Sequence, residues 1–509
     1  SAASDVYKRQ ILYIVAACTL SFAQMGCSDL LDQAPQGELI DTDLVGGTYE
    51  SEIFGMYAAM RDYALTSGTT ALAIHSFRSE DAEKGSTSTD GAGAAKMYDE
   101  FNYDASDGML QGYWSANYSL IHKVNTLLES MKAGNLTDGN LVNKAEALFF
   151  RAYCYFNLVR AFGEVPLIDF KINQSSDANI PKSSVNDIYA LIDRDLTEAE
   201  KYLPRTWESK YIGRLTWGAA RSLHARTYMM RNDWSNLWTA ATDVINSGIY
   251  NLNTPFNDIF RESGENCSES IFELQCTATS SLPESEDIGS KFALVQGVRG
   301  SGEWNMGWGW NTPTETLANA FEAGDPRKDE TLLYFIKVGE SPSLIPANQP
   351  YNEKPVATND VIAKYFNKKA YTNPTYRAKY TKFGFWFNIR LIRYADVVLM
   401  AAEAAIEQNN TKSAKDYLEM VRSRARGKNI NILPKITTDD QVKLRNAIRQ
   451  ERRAELAMEF DRFYDLVRWG IAEDVLGSFG YQKKHALLPL PQEEIDKSNG
   501  VLKQNPDYL

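Results

Sequence analysis

The chain has 509 residues, 44% of them hydrophobic and 12% aromatic, and a formal net charge of −12. This length and apolar content are ample for a large buried core. The acidic balance argues against a nucleic-acid partner, because surfaces that bind nucleic acids are usually basic.

Residues 1–26 are typical of a bacterial lipoprotein signal peptide. A short basic stretch precedes an apolar run at residues 11–22, which is too short to span a bilayer as a stable anchor. Gly26 is a small residue directly before Cys27, as a lipidation signal requires, although Gln24 stands where leucine is usual. We expect cleavage before Cys27 and its lipidation. The alternative is an ordinary secretory signal with a chance cysteine.

Apolar residues then recur at steps of three and four, which predicts a series of helices. In chain order they are residues 44–65, 114–131, 143–168, 185–203, 216–230 and 234–247. The segment 143–168 is apolar around most of its circumference, so it needs helices on at least two sides. Gly163 stands at the expected C-cap and Pro166 prevents continuation. Residues 216–230 and 234–247, joined by a short polar turn, resemble a degenerate tetratricopeptide unit.

Two regions lack a helical period. Residues 71–103 contain a run rich in Gly, Ser, Thr and Ala, which predicts a long irregular loop. Long loops in compact domains are often functional. Residues 254–388 are rich in Gly, Pro, Asn and aromatics, which predicts loops and short strands apart from a helix at residues 314–321.

Three cysteines remain after Cys27. Cys154 lies inside the 143–168 helix and is expected to be a small buried apolar residue. Cys267 and Cys276 flank a predicted strand that, if straight, would hold them roughly 30 Å apart. A disulfide between them would therefore require a bend, although an exported protein meets oxidising conditions.

Helical periods resume after the loop-rich region, at residues 389–408, 412–426, 439–458 and 460–474, and an extended tail follows at 477–509. The predicted fold class is mainly α, with a tetratricopeptide-like scaffold at about residues 40–253 and 389–476. This scaffold carries a loop-rich, irregular insert at about 254–388 with a few short strands. We expect residues 27–509 to form one body.

No arrangement of residues points to catalysis or metal binding. The four histidines are scattered, and the zinc, nucleophile-elbow and phosphate-loop motifs are absent. The 66 acidic residues make chance carboxylate pairs too common to identify a glycosidase site. These residues indicate no metal site and no cofactor, and they leave paired carboxylates for glycosidic hydrolysis open.

Four separated stretches resemble the SusD/RagB family of Bacteroidetes outer-membrane lipoproteins, and they span nearly the whole mature chain. They are residues 146–168, 391–407, 448–470 and 487–508. Pro326 and Arg327 add a further match. The resemblance implies tetratricopeptide-like helix pairs and a lipid-anchored position on the cell surface, over a SusC-like TonB-dependent transporter. It implies capture of oligosaccharides, or in some members peptides, and their delivery to that transporter without cleavage.

Residues 301–311 (SGEWNMGWGWN) are the strongest candidate for glycan binding. Trp304, Trp308 and Trp310 follow one another closely between glycines. Flat indoles can stack on the apolar C–H faces of sugar rings, and glycine lets the backbone turn sharply or come close. The alternative is that these tryptophans pack the loop-rich half against the helices. We expect at least one of them to line the site.

The loop at residues 77–103 is the second candidate, because in similar proteins this region contributes to the ligand face. Arg78 and Asp81 are predicted to bond hydroxyls, and Tyr98 to stack, with Asn102 beside it. The alternatives are a solvated loop anchored by its aromatics and a contact with the transporter.

Two further stretches are dense in aromatic or charged residues. Residues 376–387 are aromatic and basic, and core packing is the expected role, with Trp386 as a further glycan-binding candidate. Residues 448–470 alternate Arg and Glu at helical spacing, which favours ion pairs of the scaffold over catalysis.

The predicted function is capture of oligosaccharides at the cell surface. Two alternatives remain: a binding protein for peptides or glycopeptides with the same fold, and a transporter lid without strong ligand affinity of its own.

Overall fold

Helices dominate both ends of the chain, and short strands lie in its middle. The computed structural model describes residues 47–87, 89–91, 98–134, 136–337 and 343–508. The helices there are α1 (Glu50–Met60), α2 (Thr69–Leu72), α3 (Gly108–Met131), α4 (Asp138–Phe162), α5 (Val185–Tyr202), α6 (Trp217–Met230), α7 (Trp234–Asn246), α8 (Phe256–Ile259), α9 (Phe292–Gln296), α10 (Glu315–Ala320), α11 (Pro326–Thr331), α12 (Pro374–Lys379), α13 (Tyr394–Glu407), α14 (Thr411–Arg426), α15 (Gln441–Glu455), α16 (Arg462–Arg468), α17 (Ala472–Leu476) and α18 (Gln492–Lys497). The strands are β1 (Ala82–Gly85), β2 (Ser270–Leu274), β3 (Trp310–Pro313), β4 (Leu332–Lys337), β5 (Leu344–Pro346), β6 (Tyr365–Asn367) and β7 (Ile389–Arg393).

Helix α4 is the central element of the scaffold and packs between α3 and α5. The Thr137 hydroxyl caps its start by accepting a hydrogen bond of 3.3 Å from the Asn140 N–H. Its end is set by Gly163, whose φ of +75° glycine adopts without strain. Most of its side chains are buried, as its apolar circumference predicted.

Helix α13 joins the two ends of the chain, because it packs against α7 as well as α14 and α15. The C-terminal helices thereby continue the layer that α3 to α7 begin. The predicted fold class, a mainly α scaffold carrying a loop-rich region with short strands, is confirmed. The chain from Gly46 to Leu509 forms one compact unit. The signal boundary and Cys27 lie outside the described residues, so that division stays a prediction.

Several boundaries differ from the sequence prediction. Residues 389–393 form strand β7, antiparallel to β2, and the helix begins only at Tyr394. The segment pairs its backbone with β2, and its two β-branched residues, Ile389 and Ile392, are buried there. Residues 71–77, predicted as loop, are helical and buried. The predicted helix at 460–474 is interrupted near Gly470, which adopts a φ of +71°.

The tail departs from the sequence prediction, whereas the cysteines agree with it. The predicted extended tail contains α18 and turns of 3-10 helix. Cys154 is buried, and burial raises the pKa of its thiol well above the usual range. Cys267 and Cys276 are not bonded to each other, so β2 carries no disulfide at its ends.

Buried ion pairs connect the loop-rich region to α14 and α15, and further pairs join α16 to α13 and α15. Arg327 pairs with Asp325, Glu451 and Glu455, and all four side chains are at most 1% exposed. Other pairs of this network are Arg393–Glu455, Arg424–Glu269, Arg422–Glu451, Arg452–Asp465 and Arg468–Glu403. The prediction that the charges at residues 448–470 form ion pairs along and between helices is therefore confirmed.

His485 in the tail makes the stability of the fold depend on pH. It is 4% exposed, stacks on Phe101, and accepts a 2.9 Å hydrogen bond from the Gln482 N–H at Nδ1. Burial, followed by the charges of Lys484 and Arg78, lowers the pKa of His485 to about 4. An unfolded histidine titrates near about 6.5. As pH falls from about 6.5 to about 4, the unfolded chain takes up a proton that the folded protein does not.

We therefore expect the free energy of unfolding of the wild-type protein to fall by about 2–3 kcal/mol between about pH 6.5 and 4 through His485 alone. The variant His485→Asn keeps an acceptor near Nδ1 and should lose correspondingly less stability between pH 6.5 and 4.5 in denaturant titrations. His122→Asn changes an exposed histidine of α3 and serves as the matched control. Parallel pH profiles for wild type and His485→Asn would contradict the prediction.

Candidate functional site

Strands β1 and β3 bring together the two stretches that the sequence singles out for glycan binding. They are antiparallel, with Gly85 opposite Trp310 and Glu83 opposite Thr312. The ladder continues past Gly85, where the Ser86 N–H donates to the Gly309 carbonyl over 2.6 Å. Residues far apart in the sequence therefore form one surface at this ladder.

Arg299 fastens the segment after β1 to the tryptophan-rich segment. Its guanidinium pairs with the Asp90 carboxylate and donates to the Ser86 hydroxyl over 2.9 Å. Partial burial raises the pKa of Asp90, but the Ser86 hydroxyl and the Arg299 charge outweigh it and hold that pKa below its usual range. Arg299 and Asp90 could not be selected from local sequence, since their pairing depends on the β1–β3 ladder.

The three tryptophans have different environments. Trp304 is 3% exposed, donates its indole N–H to the Val356 carbonyl over 2.9 Å, and packs edge-on against Phe335. Trp310 is 6% exposed and stacks on Phe77 with ring centroids 6.3 Å apart. Trp308 is half-buried and packs against the central core. Of the three, Trp308 keeps the most ring surface open to solvent.

The polar candidates of the first loop are held by protein partners. Arg78 is fully buried, donates to the Ile74 carbonyl over 3.1 Å, and lies 3.9 Å above the Phe463 ring. Asp81 is buried and accepts from Arg453 Nε over 3.1 Å. Both groups act in this structure as links between the loop and the C-terminal helices, and their contact with a glycan stays a prediction.

Tyr98, Asn102 and Trp386 differ in their exposure and their partners. Tyr98 is fully buried and stacks on Tyr103 at 5.0 Å, whereas Asn102 is exposed. Trp386 is 4% exposed and donates its indole N–H to Glu262 over 2.9 Å. A role of these residues in glycan binding stays a prediction.

Two ionisable groups that contact the ladder, Lys84 and Asp99, were not selected from the sequence. The Lys84 ammonium donates to the Thr87 carbonyl over 2.9 Å and lies 5.1 Å from the centroid of the Trp310 ring. Asp99 accepts a 2.9 Å hydrogen bond from the Lys84 N–H. Burial raises the pKa of Asp99 to about 8, so this carboxyl titrates near neutral pH.

Gly309 sets the close approach of this loop to its neighbours. Its φ is +68°, and a Cβ there would lie 2.8 Å from Cβ of Arg299 and 2.9 Å from Cδ1 of Ile362. Gly302, in the same loop, has a φ of +56° but nothing within 4 Å of its hypothetical Cβ. The two glycines thus share a backbone constraint and differ in steric room.

We expect Gly302→Ala to lower the free energy of unfolding by about 1–2 kcal/mol, because alanine is strained in the left-handed backbone conformation. Gly309→Ala should cost about 1–3 kcal/mol more, because the methyl group must displace Arg299 or Ile362. Thermal or denaturant unfolding of both variants measures the difference. Equal losses would show that the loop accommodates the methyl group.

The helical scaffold carries a separate cleft of about 760 Å³ between α3, α4 and α5. Its charged groups are paired with one another, as in Arg151–Asp195 at 2.7 Å and Lys144–Glu198 at 3.1 Å. Among the described residues, no group of three or more His, Cys, Asp or Glu side chains could hold a metal ion. Within those same residues, no helix is long and apolar enough to cross a membrane.

Comparison with known proteins agrees with this architecture. The family model described as the SusD family matches residues 268–486, and the one described as starch-binding and associating with the outer membrane matches residues 31–229. A SusD-like protein P2 of Formosa agariphila is 30% identical over 98% of this chain and 100% of its own length. The chain belongs to the SusD/RagB family.

Two solved structures extend the comparison. A laminarin-binding SusD-like protein superposes with a TM-score of 0.73 at 26% identity, covering 90% of this chain and 98% of its own. A surface glycan-binding protein A from Bacteroides fluxus superposes with a TM-score of 0.74 at 25% identity, covering 91% and 99%.

Proposed function

We propose that this protein is a cell-surface lipoprotein that captures oligosaccharides and delivers them to a SusC-like TonB-dependent transporter in the outer membrane. Lipidation at Cys27 would hold it there. The observation that supports it most is the β1–β3 ladder, beside which the partly exposed Trp308 lies near the segment after β1 that Arg299 holds through Ser86 and Asp90. Family membership and the laminarin-binding relative support this proposal.

The chemistry of this face suits a sugar. An indole offers an apolar surface to the C–H face of a pyranose ring, and part-exposed hydroxyls and amides can bond its hydroxyl groups. Ser301, Asn305 and Thr89 are exposed polar residues in the two adjoining segments. Such an arrangement binds without cleaving, and we assign no catalytic residue to it.

The test is an affinity screen of the purified mature protein against neutral and charged glycans and against peptides. Binding of a glycan supports the proposal, and selective binding of peptides favours the peptide-binding alternative. A protein that binds neither but co-purifies from outer membranes with a TonB-dependent transporter would be a lid. Chromatography of glycans after prolonged incubation checks for cleavage, and hydrolysis products would overturn the non-enzyme assignment.

A further inference from the structure

The charges around Trp308 bear on which class of glycan this face accepts. Three described segments are considered on this face: residues 83–91 apart from 88, residues 299–309, and residues 356–364. The Ser301 N–H donates to Asp360 over 3.1 Å, and the Ile362 N–H donates to the Arg299 carbonyl over 3.3 Å, so the last two segments adjoin. Hydrogen bonds of β1 and Arg299 attach the first.

The cations in these segments already have protein partners. Arg299 pairs with Asp90, and Lys364 pairs with Glu315 over 2.6 Å. Lys84 is only 5% exposed and donates to the Thr87 carbonyl. A ligand carboxylate or sulfate is usually recognised by an available guanidinium or ammonium group. Within the three described segments, Lys84 and Arg299 could bind such a group only by giving up an existing partner, whereas Lys364 is held by a weak, solvent-exposed pair.

Apart from Asp90, the acidic residues of the three segments, in contrast to the cations, have no ion-pair partner among the described residues. Glu83, Glu303 and Asp360 are exposed, and none of them lies within ion-pairing distance of a described cation. Asp360 caps the Ser301 N–H and accepts from the Thr358 hydroxyl over 2.7 Å, while Glu83 accepts from the Thr312 hydroxyl over 3.4 Å. A polyanion brought to Trp308 would therefore meet unneutralised carboxylates, and the whole-chain charge of −12 adds long-range repulsion.

We infer that the glycan held at this face is neutral, rather than one bearing uronic acid carboxylates or sulfate esters. This inference rests on the proposed function and adds the ligand class to it. The carboxylates do not repel a neutral glycan, because they accept hydrogen bonds from its hydroxyl groups.

The test compares a neutral glycan with the same backbone carrying charges. Laminarin and laminarin whose primary alcohols have been oxidised to carboxylates form such a pair, and the tightest neutral binder of the screen and its oxidised form are measured beside it. Calorimetry is run at low ionic strength with a chelator, so that divalent cations cannot bridge carboxylates. We expect the oxidised form to bind at least about tenfold more weakly than the neutral form. This difference in affinity should decrease as added salt screens the repulsion.

Variants test whether the acidic residues of this face cause the preference for neutral over oxidised glycan. Glu83→Gln with Glu303→Gln should reduce the neutral-to-oxidised affinity ratio, whereas Glu129→Gln on α3 should leave it unchanged. Oxidised or sulfated glycan binding as tightly as its neutral form, or tighter, would overturn the inference and leave the glycan-binding function standing. Absence of binding to every glycan of either class would overturn the function and the inference together.

Discussion

Replacing Trp308 by alanine is expected to weaken glycan binding about ten- to hundredfold. An indole that covers one sugar face removes apolar surface from water, which is worth roughly 1.5–3 kcal/mol, and each 1.4 kcal/mol is about tenfold in affinity. The backbone of this residue is held independently of its side chain, since its N–H donates to the Leu294 carbonyl over 2.9 Å. The loss should therefore be one of affinity, measured by calorimetry with the tightest ligand of the screen.

Matched variants separate this effect from damage to the fold. Trp308→Phe keeps a flat apolar ring and should recover part of the affinity. Trp234→Ala removes a half-buried tryptophan from the start of α7 in the scaffold and should leave affinity unchanged. Trp304→Ala and Trp310→Ala remove buried rings and should cost about 3–5 kcal/mol of stability. If Trp308→Ala binds glycan as tightly as wild type does, this face is not the site.

The helical scaffold followed from local pattern because helices bury their side chains with a fixed period. Helix α4 could be identified from its apolar circumference, and its end from Gly163. Strand β7 could not be identified in this way, because its five residues are equally compatible with a helix. Their extended conformation depends on pairing with β2. Local periodicity therefore identified the long helices and failed at short segments whose structure depends on a distant partner.

The surroundings of the candidate residues were not predictable for the same reason. Arg78 is buried by Phe463 and by the His485 carbonyl, both near the other end of the chain. Trp304 is covered by Phe335 of β4, and nothing in its own segment indicates this. The residue types identified the two candidate segments, but their pairing and the side of each that faces solvent depend on partners that the local sequence does not contain.

Replacing Glu455 by glutamine is expected to destabilise the protein by about 3–5 kcal/mol, a large part of the stability of a typical domain. The Glu455 side chain is fully buried and pairs with Arg327 at 3.2 Å, Arg393 at 3.1 Å and Arg424 at 2.5 Å. A neutral amide of the same size fills the space but leaves these guanidinium groups with less compensating charge. Thermal unfolding of the wild type and the variant measures the loss. Glu129→Gln, which removes an exposed pair with Lys132, should change stability by about 0.5 kcal/mol or less.

The pH dependence tests the cause of that loss. Burial alone would raise the pKa of Glu455, but Arg424, Arg393 and Arg327 hold it well below its usual range. An unfolded glutamate titrates near about 4.3, so the ionised Glu455 contributes its full stability above that pH and loses it as pH falls toward the folded pKa. The gap between wild type and Glu455→Gln should therefore be constant near neutral pH and shrink below about pH 4. Burial raises the pKa of Glu269, which shares Arg393 and Arg424, so Glu269→Gln should cost less than Glu455→Gln. A gap that stays constant down to pH 3 would show that the loss comes from packing rather than from charge.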